Sequence, residues 1–111
     1  MDRILKYQNA IITLLQEYAD YYNGGNDVRH YVIKDKESHH YQLIAMGFKN
    51  DLFIHSCLFH FDIIDKKVWL QVNETEHLIA DELIEKGVPK MDIVLGFHAP
   101  HIRPYTGFAV A

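Results

Sequence analysis

The sequence predicts an α+β fold: an N-terminal helix, a four-stranded antiparallel meander, a second helix and a short C-terminal strand, in one domain over residues 1–111. Three observations carry this. Apolar residues recur at helical spacing near the N-terminus. Four β-like runs follow, joined by turns of three or four residues, too short for anything but antiparallel hairpins. A capped helical stripe then leads into one short apolar run before the chain ends.

Ile4, Ile11, Leu15, Tyr18 and Tyr22 define the first helix, with Leu5, Ile12 and Ala19 widening its stripe. Asp2 suits the N-cap, and Asn23-Gly24-Gly25-Asn26 stops the helix with residues that tolerate positive φ. The strands run Val28 to Lys34, His40 to Phe48, Leu52 to Ile64 and Val68 to Asn73. Their turns are Asp35-Lys36-Glu37-Ser38, Lys49-Asn50-Asp51 and Asp65-Lys66-Lys67. Asn73-Glu74-Thr75-Glu76 opens the second helix, with Asn73 or Thr75 as N-cap and acids favouring the helix dipole. Leu78, Ile79, Leu83 and Ile84 form its stripe; Gly87 stops it and Pro89 blocks a restart. Ile93 to Phe97 reads as a buried strand, and Pro100 and Pro104 are expected to keep the tail beyond it extended.

Strict alternation along the third strand places Phe53, His55, Cys57, Phe59, Phe61 and Ile63 on the face that meets the helices. Ile54, Ser56, Leu58, His60 and Asp62 fall on the other face, which is mixed and is either solvated or covered by another subunit. The apolar ending, Tyr105 to Ala111, is expected to pair as a strand or dock, because Phe108 and Val110 would each forfeit about 1.5–3 kcal/mol in water.

Composition narrows the function classes. At 111 residues, 49% hydrophobic, the chain can bury one core without staples. Cys57 stands alone, so no intrachain disulfide forms, and no apolar run approaches the roughly 18–20 residues of a membrane span. The N-terminus lacks a signal-peptide pattern. A cytoplasmic chain with no membrane contact is expected. The net charge of -4, with bases scattered rather than grouped, argues against an autonomous duplex binder. Residues 65–92 hold seven acids and four bases, whereas the last 19 residues hold Arg103 and no acid, which suits an apolar docking tail.

No catalytic or cofactor constellation emerges. His55 and His60 fall on opposite faces of a straight strand, and His60 with Asp62 supplies only two ligands, short of a tetrahedral site, so no metal is expected. Cys57 sits with Phe59 by alternation and reads as buried and inert rather than nucleophilic. Gly24-Gly25 lacks the remainder of a phosphate loop. Trp69, Gln71 and Asn73 share a strand face that is either a binding patch or ordinary packing.

Residues 55–73, HSCLFHFDIIDKKVWLQVN, then TEHLIADELIEKGVPKMDIVLGFHAP and the ending RPYTGFAVA, closely resemble the XisI family, whose members are called fdxN element excision controlling factors. Lys66 stands where the family usually has Gly, Gly47-Phe48 corresponds to its Gly-Trp, and Pro104 replaces a commonly polar residue. The resemblance implies a non-catalytic accessory role in programmed, site-specific DNA element excision. It also implies a XisH-like partner and a separate recombinase that does the strand chemistry, so the link to DNA is indirect. Asp62, Trp69, Gln71, Arg103, Tyr105 and Phe108 are the candidate partner-binding residues, no cofactor is expected, and a homo-oligomer is compatible. The alternative is direct nucleic-acid binding by the sheet face and its aromatics.

Overall fold

The computed structural model describes residues 2–25 and 27–111; Asn26, part of the predicted helix stop, lies outside them. The elements are α1 (Arg3–Asn23), β1 (Arg29–Asp35), β2 (His40–Lys49), β3 (Leu52–Ile64), β4 (Lys67–Asn73), α2 (Ile79–Glu85) and β5 (Ile93–Leu95). The five strands form one sheet in sequential order. β1 to β4 are antiparallel as expected, and β5 joins β4 in parallel because α2 carries the chain back along the sheet.

Asp2 caps α1 by accepting from the Ile4 amide at 3.0 Å. The buried face of α1 is centred on Tyr7, Ala10, Ile11, Leu14, Leu15 and Ala19; Ile4, Tyr18 and Tyr22 flank it, and Leu5 is exposed. This face packs against Tyr41, Leu43, Phe59, Phe61, Val68 and Leu70 on one side of the sheet, and Ile79, Leu83 and Ile93 complete the core. Polar ties cross the layers where side chains reach the rim. The Tyr7 hydroxyl donates to Asp92, Tyr18 donates to Glu82 at 2.6 Å, and buried Gln8 accepts from Tyr41 at 3.2 Å. Burial, then the hydrogen bond and charge of Asp92, push the Tyr7 phenol up to about 12.

Two irregularities correct the face assignments. Leu43 pairs with Phe59 but Ile44 pairs with Cys57, so Leu58 is an extra residue in β3. Before that bulge the alternation inverts. Phe53, His55 and Cys57 lie on the outer face with Phe48, Met46 and Ile44, while Ile54 and Ser56 lie on the helix side with Gly47 and Ala45. Phe53 is accordingly 54% exposed, whereas Phe59, Phe61 and Ile63 are buried where alternation put them. His55 and His60, expected on opposite faces, share the outer one. In β4, Phe61 pairs with Leu70 and His60 with Val72, so Gln71 is the extra residue. Asn73 thereby turns to the helix side opposite Phe59 and leaves the face of Trp69 and Gln71.

The start of α2 also departs from expectation. Leu78 holds the N-cap position with no side-chain cap bond and is exposed. Asn73 and Thr75 instead accept from the Thr75 and His77 amides, at 2.9 and 3.1 Å, folding the approach to the helix. Ile79, Ala80 and Leu83 form its buried stripe, with Ile84 half-buried. The tail is turned rather than extended: the Ile102 amide donates to Ala99 at 2.9 Å, and Arg103–Tyr105 form a single 3₁₀ turn. The tail then docks on its own chain. The Ala109 amide donates to Ile93 at 2.9 Å, Phe108 packs against the core, and Val110 stays half exposed.

Candidate functional site

Both helices cover one side of the sheet, so the outer side carries whatever side chains the register brings together. Asp35 and His40 close the β1–β2 hairpin as a directly opposed pair, and His40 in turn pairs with Asp62 on β3. His60, two residues before Asp62 on the same strand face, completes a cluster. Asp62 Oδ1 accepts from His40 Nδ1 at 2.6 Å and from His60 Nε2 at 2.7 Å. Its other oxygen accepts from Gln71 Nε2 at 3.2 Å, and Gln42 Nε2 lies 2.9 Å from His60 Nδ1. The bulge at Gln71 gives that amide its reach. Gly96 leaves the space, since a Cβ there would fall 2.3 Å from Gln71 Oε1.

Electrostatics follow the hydrogen bonds. Burial alone would push the Asp62 carboxyl up, but the bonds from His40 and His60 outweigh it and hold the group below the ordinary carboxylate range. The hydrogen bond to Asp62, and then its charge, raise the His40 imidazolium above its ordinary value. His40, His60 and Asp62 each offer one ligand atom, and those atoms lie within 4.8 Å of one another.

Beside this cluster, Trp69 is the direct partner of Asp62 in the ladder. The Arg103 guanidinium lies 5.0 Å from the Trp69 ring centroid, held there by donating to the His98 carbonyl at 3.0 Å. Asp62, Trp69, Gln71 and Arg103 therefore form one continuous patch. Tyr105, 86% exposed, extends from the turn that Arg103 begins. Phe108 does not join it: it lies on the helix side with Leu70, Ile79 and Leu95, its ring 5.1 Å from Lys90 Nζ. Past the cluster, towards the β2–β3 turn, the same outer face exposes Tyr31, Ile33, Met46, Phe48 and Phe53.

Cys57 is half-buried on the outer face rather than beside Phe59. Its thiol donates to the Phe59 carbonyl at 3.2 Å, and burial followed by the Glu74 charge raises its pKa, which disfavours the thiolate. The sequence reading missed His40 and Gln42. Their signal lay in the tight β1–β2 hairpin, which fixes His40 opposite Asp35, but the pairing with Asp62 depends on the register set by the Leu58 bulge.

Residues 1–110 match the family described as XisI protein. The chain belongs to the XisI family. It is similar to the crystal structure of a XisI-like protein from Anabaena variabilis ATCC 29413, with 44% identity, a TM-score of 0.90, and coverage of 97% of this chain and 99% of that one. It is also similar to the crystal structure of fdxN element excision controlling factor XisI from the same organism, with 30% identity, a TM-score of 0.85, and coverage of 99% and 100%. No curated protein matches it. Asp65 and Lys66 both adopt positive φ, 51° and 64°, and make a two-residue hairpin turn. Gly47 has φ 147° and lets the Asp27 carbonyl and Val28 Cα approach to 3.2 Å of where a Cβ would stand. No helix among the described residues is long and apolar enough to cross a membrane.

Proposed function

We propose that this chain is a non-catalytic accessory factor in programmed, site-specific excision of a DNA element. It acts by binding a XisH-like partner, and a separate recombinase performs the strand chemistry. The observation that carries this reading is the end-to-end likeness, at 30% identity, to an fdxN element excision controlling factor. The bare outer face supports it as the docking surface. Trp69 and Arg103 are the residue types that dominate interface energetics, and Asp62 and Gln71 supply satisfied polar groups beside them. Phe108 contributes by holding the tail on its own core rather than by contact.

The test is co-purification of the full chain with a XisH-like protein encoded beside it. Trp69→Ala combined with Arg103→Ala should weaken capture by about tenfold or more while the melting temperature of the free chain changes little. Failure of the wild type to retain the partner overturns the proposal; undiminished capture by the double variant moves the docking surface elsewhere. The isolated chain should bind duplex DNA no better than a Kd of about 10⁻⁴ M at physiological salt. Submicromolar binding with a steep salt dependence would favour direct nucleic-acid contact, using the exposed Tyr31, Phe48 and Phe53 as stacking surfaces.

A further inference from the structure

We propose that His40, His60 and Asp62 form a binding site for one divalent transition-metal ion of the zinc class on the outer face of the sheet. Two imidazoles and one carboxylate from adjacent strands present ligand atoms within 4.8 Å of one another. Imidazole with carboxylate is a donor set that suits zinc, cobalt and nickel. Bonds of about 2.0–2.2 Å place tetrahedral ligand atoms about 3.3 Å apart. The two N···O separations, 2.6 and 2.7 Å, therefore need to open by about 0.6–0.7 Å. His40, whose side chain is 54% exposed, opens the first by turning outward, and His60, at 23%, opens the second, while Asp62, at 13%, is held in place.

The surrounding amides fit a second layer of support. Ligating histidines generally donate their other ring N–H to an oxygen, which fixes tautomer and orientation. Rotating the Gln42 amide end for end presents Oε1 to His60 Nδ1 at the position its nitrogen occupies, 2.9 Å away. His60 then carries its proton on Nδ1, and Nε2 is free to ligate. His40 ligates through Nδ1 and keeps its proton on the solvent side at Nε2. Gln71 holds Asp62 Oδ2, leaving Oδ1 for the ion. Neutral imidazoles release no proton in this exchange; an imidazolium at His40 releases one. The fourth coordination position belongs to water on the uncovered side of the sheet.

Untagged full-length chain, stripped with EDTA, is titrated with Co²⁺ and followed by its d–d absorption, and with Zn²⁺ by calorimetry. One equivalent per chain should bind, with saturation at about 100 µM ion or below. His40→Ala and His60→Ala should each weaken binding by about 100-fold, and Gln42→Leu by about tenfold. His101→Ala, at an exposed histidine of the tail that is not one of the three clustered ligands, should leave affinity unchanged. Circular dichroism of each variant separates lost ligation from lost folding. His40 is exposed enough that its variant decides the matter if His60→Ala does not fold. No saturation by about 1 mM, or affinity that survives His40→Ala, overturns the site; so does a loss produced equally by His101→Ala.

Discussion

The two faces of one sheet behave as different materials. On the helix side, Tyr41, Leu43, Phe59, Phe61 and Leu70 are at most 1% exposed, and nearly every neighbour is apolar. On the outer side, strands of similar composition expose Tyr31, Ile33, Phe48 and Phe53 and gather His40, His60 and Asp62 into a hydrogen-bonded cluster. Phe53 and Phe59 sit on the same strand, six positions apart, yet belong to different environments because of the residue inserted at Leu58. Composition of a strand therefore does not state which side is buried and which stays exposed; the register does.

The sharpest way to break this comparison is to truncate both phenylalanines. Phe59→Ala should cost about 3–5 kcal/mol, the range for a fully buried ring that leaves a cavity. Phe53→Ala, on a ring already half in water, should cost less than about 1 kcal/mol. Denaturant melts of the two variants measure both; equal losses would mean that the two faces are not distinct. Deleting residues 105–111 removes the Phe108 packing and the Ala109 bridge at the sheet's β5 edge. It should lower stability by about 1.5–3 kcal/mol without altering oligomeric state, read by melts and light scattering. An altered association with unchanged stability would place the tail's role between chains.

The smallest effect is expected at the outer cluster. Asp62 has a lowered folded pKa, so its contribution is present above the ordinary 3.8 and is lost as pH falls through the lowered value. His40 has a raised one, so its contribution is full below the ordinary 6.5 and is lost as pH rises through the raised value. The difference in melting temperature between wild type and Asp62→Asn should therefore peak between those two pH values and shrink on either side. A difference that does not vary with pH would show that His40 does not sense the carboxylate. Solvent screening around the exposed His40 keeps the amplitude small.

Local chemistry is enough to read much of this protein. The Asp2 cap and α1, the hairpin turns, the span of β3 and the stop at Gly87 all follow from spacing, because each depends on residues near one another in the chain. The resemblance in residues 55 to 111 likewise rests on the linear order of side chains. Tertiary structure alone decided the rest. The extra residues at Leu58 and Gln71 have no signature in alternation, since a bulge is chosen by how two strands pack together rather than by either strand's own pattern. Those two insertions turned Phe53 outward and Asn73 inward and brought Gln71 to Asp62. Register, too, placed His40 across from Asp62, which are 22 residues apart in sequence and 2.6 Å apart in space. Nothing local could have joined them, because their proximity is set by the energy of the whole hairpin settling against the core.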